Sequence, residues 1–177
     1  HKAALKLVGD HYSLTERQRL ALARVACSEK ERAERLKNLL PVSAIEAEKV
    51  LADGFNLIIT MEAALSNGPL LLSRDGCVRD LSSVHGSYRS VHETSLAIRV
   101  LGEALMEHRP EQVTWLLDSP VSNSGRLASR IRAIAAHMGW NWDVELFFNP
   151  DKVLSTSDQI VVTSDAVILS SGVRWIN

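Results

Sequence analysis

The chain has 177 residues, 46% of them apolar and 23% charged, with a formal net charge of −1. That composition suits one globular domain of ordinary size with a small appendage and excludes a disordered tail. No apolar run reaches the ~20 residues of a membrane span, and the start "HKAALKLVGD" lacks the apolar stretch and cleavage site of a signal peptide.

Residues 1–46 read as a helical N-terminal domain or extension. "AALKLVGD" is a short amphipathic helix with Gly9 near its end. "SLTERQRLALARVACS" is a second, with Thr15 as N-cap and Gln18 three residues on, the spacing of a capping box. "EKERAERLKNLL" is a third, broken by Pro41. Two short helices around "GDHYSLT" are compatible with a helix-turn-helix, but simple docking on the main domain is the favoured reading. Residues 1–50 carry ten Lys/Arg against seven Asp/Glu, and residues 51–177 ten against fourteen. The first excess suits contact with nucleic acid and the second suits a cation, although a solvated surface explains both equally well. Cys27 and Cys77 lack CxxC spacing and read as reduced thiols of a cytoplasmic protein. The six His form no zinc-ligand spacing.

Over 47–177 apolar runs alternate with helical stretches. A strand near Lys49–Asp53 leads into the turn and helix of "NLIITMEAALSNG". "PLLLSRDGCVRDLSS" reads as a hairpin about Asp75-Gly76, a strong turn dipeptide. "HETSLAIRVLGEALMEHR" is a helix with Leu96, Val100, Leu101, Ala104 and Leu105 on one face. "QVTWLLDSP" is a buried strand. "SNSGRLASRIRAIAAHMG" is a helix with Leu127, Ile131, Ile134 and Ala135 inward. "DVELFFN" is a strand, "PDKVLS" a short helix opened by Pro150, "QIVVTSD" a strand, and "VRWI" a last short strand after "AVILSSG". Solidly apolar strands alternating with helices predict an α/β fold, a Rossmann-like parallel sheet covered on both faces.

Ligands of such sheets bind beyond the carboxyl ends of the strands. "VLADG" ends in Asp53, "TWLLDSP" in Asp118 and "IVVTSD" in Asp165, while Asp151 follows "LFFN" at a helix start. One strand-end Asp is an ordinary helix cap. Three in register would repel one another by about 4 kcal/mol per pair at 4 Å and an effective dielectric of ~20. A divalent cation removes that cost, and an all-oxygen ligand set selects Mg²⁺ or Mn²⁺.

"ADGFN" resembles the hDGxN signature of PIN-like nucleases, in particular the NYN group. "WLLDS" resembles that group's second acidic strand, and "VVTSD" the TSD motif ending a later strand. The three occur in the expected order across about 120 residues. The whole chain also resembles an uncharacterised prokaryotic family that joins a short helical N-terminal domain to such a core. The resemblance implies a PIN/NYN-like α/β domain over 47–177 and metal-dependent phosphodiester hydrolysis, most often of RNA. It makes Asp53, Asp118 and Asp165 the metal-binding acids and Asn56 the signature Asn that orients a ligand or phosphate. Asp151 stands where such proteins often carry a helix-borne acid. Glu93 is a further candidate, with a solvated first-turn Glu as the simpler account. Thr163 and Ser164 are placed to hydrogen-bond a phosphate or a water, or simply to cap the strand end.

The segment "LLLSRDGCVRDLSSVHGSYRS" departs from that pattern. It sets Asp80, His85, Ser87, Tyr88 and Arg89 in a polar loop of the kind that carries function. There His85 would serve as acid or base and Arg89 as a phosphate clamp; an ordered surface loop is the alternative. Ser119, Ser122, Ser124 and Gly125 precede a helix whose free N–H groups suit a phosphate. No Lys follows as in a P-loop, and no GxSxG or Ser/His pairing suggests a hydrolase triad. Trp140, Trp142 and Trp175 could stack bases, but packing on the sheet accounts for them more simply, and Trp115 reads as core. Three functions are therefore expected: a metal-dependent nuclease acting on RNA, a non-catalytic nucleotide- or RNA-binding module, and a small-molecule phosphohydrolase using His85 and Arg89. No membrane partner is expected, and a homo-oligomer stays open.

Overall fold

A computed structural model describes residues 2–82 and 88–177. Three helices come first, α1 (Lys2–His11), α2 (Glu16–Val25) and α3 (Glu29–Leu36), followed by a 3-10 turn over Val42–Ile45. The Thr15–Gln18 capping box forms, and a second one joins Ser28 to Glu31 ahead of α3. In each, the hydroxyl accepts the third backbone N–H while the Gln or Glu side chain accepts the cap's own N–H, so two orphan donors are satisfied at once. Gly9 does not end α1, which runs on to His11.

The remainder alternates: β1 (Lys49–Asp53), α4 (Gly54–Leu65), a hairpin of β2 (Leu70–Leu72) and β3 (Val78–Asp80), α5 (Thr94–Glu107), β4 (Gln112–Asp118), α6 (Ser124–Met138), β5 (Trp142–Phe147), α7 (Pro150–Leu154), β6 (Ile160–Val162), α8 (Ala166–Leu169) and β7 (Trp175–Ile176). Five of these strands make a parallel sheet in the order β5-β4-β1-β6-β7. The chain winds outward from β1 through β4 and β5, then returns to lay β6 and β7 on the other flank. The order therefore reverses between β1 and β6, and a reversal of that kind opens a crevice at the strands' carboxyl ends.

Alternation along the strands fills both faces. Val50, Ala52, Val113, Trp115, Leu117 and Val162 pack with Ile58 of α4, Ile98 of α5, and Leu127 and Ile131 of α6. Leu51, Leu116 and Val161 point the other way, onto Leu154 of α7 and Ile168 of α8. Each buried Val, Leu or Ile among them contributes roughly 1.5–3 kcal/mol by leaving water.

The buried face of α5 differs from the expected one. It consists of Thr94, Ala97, Ile98, Gly102 and Leu105, while Leu96 is 48% exposed. The reason is local. The hydroxyls of Thr94 and Tyr88 both donate to the buried Glu62 carboxylate on α4. Gly102 sits under the Trp140 and Trp142 rings, leaving no room for a Cβ. Small and polar residues make this helix contact, and counting large apolar residues misplaces it.

The N-terminal helices are fastened to the sheet and to the hairpin. Trp175 of β7 donates its backbone N–H to Asn38 (3.0 Å) and accepts from Leu40 (2.9 Å), so Leu39 adds a parallel bridge at the sheet edge. Asp75, in the hairpin turn, is 1% exposed and takes ion pairs from Arg35 of α3 (2.7 Å) and Arg79 of β3 (2.8 Å). Cys27 and Cys77 are buried and free. Among the described residues no helix is long and apolar enough to cross a membrane.

Candidate functional site

Strand parity determines where the acids point. Asp53 follows Leu51 on the α7/α8 side of β1, Thr163 follows Val161 on the same side after β6, and Asp118 follows Leu116 on β4. The Thr163 hydroxyl reaches across to donate to Asp53 Oδ2 at 2.6 Å and accepts the Asp165 N–H at 3.0 Å. α7 begins on this side and brings Asp151; α8 begins there and brings Asp165.

Helix capping explains only one of these carboxylates. Asp165 Oδ1 accepts the N–H groups of Val167 (2.7 Å) and Ile168 (3.2 Å) and caps α8. Asp53 occupies the cap position of α4 without making a side-chain cap bond. On α7 the cap is Asn149, which accepts from Lys152 N–H at 3.2 Å and leaves Asp151 uncommitted.

Asp53, Asp151 and Asp165 line one polar cavity of about 150 Å³, together with Asn56, Phe55 and Ile59 of α4, Asp80 and Ser82 of the hairpin, and Arg24 of α2. Asp118 is not among its walls. The register pairs Asp53 with Leu116, which leaves Asp118 two residues further along β4, ~7 Å on. Electrostatics still join the four. Burial pushes the Asp53 carboxyl up to about 7; the Thr163 hydrogen bond opposes this, and Asp165, Asp151 and Asp118 add to it. Asp118 is raised by burial and then by Asp151, and Asp151 by burial and then by Asp165. Among the described residues, no three His, Cys, Asp or Glu side chains converge closely enough to hold a metal ion between them.

The other expected residues are placed as follows. Asn56 Oδ1 accepts both the N–H (2.9 Å) and the hydroxyl (3.0 Å) of Ser164, tying the start of α4 to the end of β6. Thr163 and Ser164 are buried and commit their side-chain oxygens to these bonds. Ser119 is exposed, its N–H donating to Phe147 (2.7 Å) and its carbonyl facing the Ser124 hydroxyl. Glu93 stands just before α5 and does not line the cavity. Arg89 is exposed and lines it no more than Glu93 does. His85 and Ser87 fall outside the described residues. Trp115 is core, and Trp140 and Trp142 pack against each other at a tilt of 36° with ring centroids 4.6 Å apart.

Asp80 and Arg24 are the residues that sequence reasoning did not place here. Asp80 also ends a strand, β3, and that signal was available; it accepts from the Thr60 hydroxyl (2.9 Å) and the Ser82 N–H (2.6 Å). Arg24 gave no local signal, because only tertiary docking of α2 brings it in. Beside this cavity lies a larger one of about 350 Å³, lined by Leu57, Met61, Leu101, Val162 and Ile176, which shares Asn56 with it. The hydrogen bonds from Thr60 to Asp80 and from Ser164 to Asn56 form the partition.

No solved structure matches the chain. An uncharacterized protein of Methanocaldococcus jannaschii, MJ0935, is 32% identical over 173 residues, which cover 98% of this chain and 83% of that protein. Residues 1–38 match a family described as a protein of unknown function, DUF434. Residues 42–177 match a domain of unknown function, DUF5616, and with most of its length inside that match the chain belongs to the DUF5616 family.

Proposed function

We propose that the protein is a metal-dependent phosphodiester hydrolase of PIN-like type, acting on RNA, with its centre at the acid cavity. The observation that carries this reading is the gathering of Asp53, Asp151, Asp165 and Asp80 around one small cavity at the reversal point of a parallel sheet. Such a cluster is costly unless something positive neutralises it. The donors fit Mg²⁺ or Mn²⁺ as an all-oxygen set in which one or two carboxylates bind and water or substrate oxygens complete the shell. They do not form a closed three-Asp cage. Asp53 and Asp165 would hold the ion, with Asp151 beside them and Asp118 behind.

A bound cation would polarise the phosphoryl oxygen and lower the pKa of its water. The remaining roles fall to the chain itself. Thr163 fixes the Asp53 carboxylate, and Asn56 fixes Ser164 and hence the approach of Asp165 to the cavity. Asp151, raised by burial and by Asp165 and standing beside the ion, is suited to take a proton from an attacking water.

The test is cleavage of an end-labelled RNA panel with Mg²⁺ or Mn²⁺, comparing wild type, Asp53→Asn and wild type with EDTA. Cleavage abolished by both the substitution and the chelator is expected. Activity that survives Asp53→Asn, or folded wild type that cleaves nothing, would overturn the reading. A second reading, a small-molecule phosphohydrolase, draws on the apolar cavity of about 350 Å³, which has the size and lining of a ligand pocket and adjoins the acids through Asn56. Turnover of small phosphodiesters without RNA cleavage would favour it.

A further inference from the structure

Arg24 is the one cation that lines the acid cavity among the described residues. It belongs to the segment matched by DUF434, whereas every acid of the cavity belongs to the segment matched by DUF5616. The backbone that carries it is clamped. The Arg24 carbonyl accepts from the Arg79 guanidinium and the Ser73 hydroxyl, both at 3.2 Å. One residue on, the Val25 carbonyl accepts the Arg74 N–H at 3.0 Å. The same Arg79 guanidinium donates to the Ser164 carbonyl at 2.7 Å, and Asp75 grips it with both oxygens. One buried arginine thus sets the end of α2 and the loop bearing Asp165 at a fixed spacing.

The Arg24 side chain donates to the Ser82 carbonyl at 2.9 Å and, among the described residues, forms no ion pair with any of the four acids around it. Arg35 and Arg79, by contrast, are consumed by Asp75. A guanidinium present only to neutralise carboxylates would dock on one of them as a fork, because that geometry is short and strong. Arg24 instead spends one N–H on a backbone carbonyl and lines an open volume of about 150 Å³ beside the acids.

We propose that Arg24 is a substrate-binding residue, its guanidinium taking phosphoryl oxygens of the phosphodiester held at the acid cavity. The N-terminal helices then complete the site. This rests on the hydrolase reading above.

The experiment uses the full chain carrying Arg24→Gln or Arg24→Lys; Gln keeps a donor for the Ser82 carbonyl. It measures the Kd of an end-labelled single-stranded oligoribonucleotide in Mg²⁺, the KM and kcat for its cleavage, and the melting temperature. Arg24→Gln is expected to raise Kd and KM by about tenfold to a hundredfold, the value of a charged hydrogen bond. It should flatten the salt dependence of binding by about 0.7 in the log–log slope for each phosphate that residue 24 no longer neutralises, with the melting temperature held. Arg24→Lys should recover part of the affinity. Unchanged Kd and KM with a lower melting temperature would make Arg24 a structural counter-charge and overturn the inference while the hydrolase reading stands. Wild type that neither binds nor cleaves RNA would overturn both.

Discussion

Ionised Asp53 is expected to destabilise the fold, so Asp53→Asn should stabilise it. An unfolded Asp ionises near 3.8, and in the folded chain burial raises Asp53 to about 7. Between those values the native state binds the extra proton, so stability falls as pH rises through this window and levels off above about 7. At about 1.4 kcal/mol per pH unit, ionising the folded carboxyl costs about 4 kcal/mol. Around Asp53, Asp165, Asp151 and Asp118 add to the effect of burial, the Thr163 hydrogen bond opposes it, and Arg24 lines the same cavity without forming an ion pair with Asp53. Asn retains an oxygen for the Thr163 hydroxyl and carries no charge. For a chain of this length, about 4 kcal/mol corresponds to a melting temperature higher by roughly 10 °C. The assay is thermal and urea unfolding of wild type and Asp53→Asn in EDTA at pH 5 and pH 8. The variant should gain mainly at pH 8, and added Mg²⁺ should then stabilise wild type far more than the variant. Equal melting temperatures at pH 8 in EDTA, or a wild-type stability that does not change between pH 5 and pH 8, would refute the account of the buried carboxylate.

Asp75→Ala leaves Arg35 and Arg79 buried without their carboxylate and should cost about 3–5 kcal/mol in urea unfolding. Burial works to raise the Asp75 carboxyl, but Arg79 and Arg35 outweigh it and hold it below its ordinary value, so this contribution is present above the unfolded Asp pKa and is lost as pH falls below it. Gly54→Ala should destabilise the chain and cripple the site, because a Cβ there would lie 2.5 Å from Leu117 Cδ2 and 2.8 Å from the Leu116 carbonyl oxygen. Gly125→Ala, with nothing within 4 Å, should stabilise α6 by about 0.5–1 kcal/mol in the same unfolding assay.

Much of this architecture is legible locally. Asp75-Gly76 announces the hairpin, Pro150 opens α7, and alternating apolar strands give a parallel sheet covered on both faces. The strand-end Asp pattern leads to Asp53 and Asp165, and the helix start after β5 to Asp151, because these are local features of the chain. It does not show that Asp118 overshoots the cavity, since register between β1 and β4 is a tertiary quantity. Asp75 reads as a turn residue, and its larger role as the anion between two buried arginines depends on α3 arriving from 40 positions away. Arg24 is illegible for the same reason. The face of α5 is misplaced because it meets a carboxylate, a ring hydroxyl and two indole rings through Thr94 and a bare Gly102 rather than a row of leucines.

The bridge between Leu39 and Trp175 also bears on the order of folding. Arg35 and Trp175, joined by the indole N–H at 2.9 Å, stand 140 positions apart. Closing a loop that long costs conformational entropy before the contact repays it. α1, α2 and α3 span only 10, 10 and 8 residues and are marginal as isolated helices. During synthesis they emerge long before β7 exists to receive them. The end of α2 finds its partners in Ser73, Arg74 and Arg79 of the hairpin, whereas the stretch around Leu39 needs β7. A chain cut short before β7 would therefore lose the Leu39 bridge and the Arg35–Trp175 bond while keeping the hairpin contacts that hold Arg24.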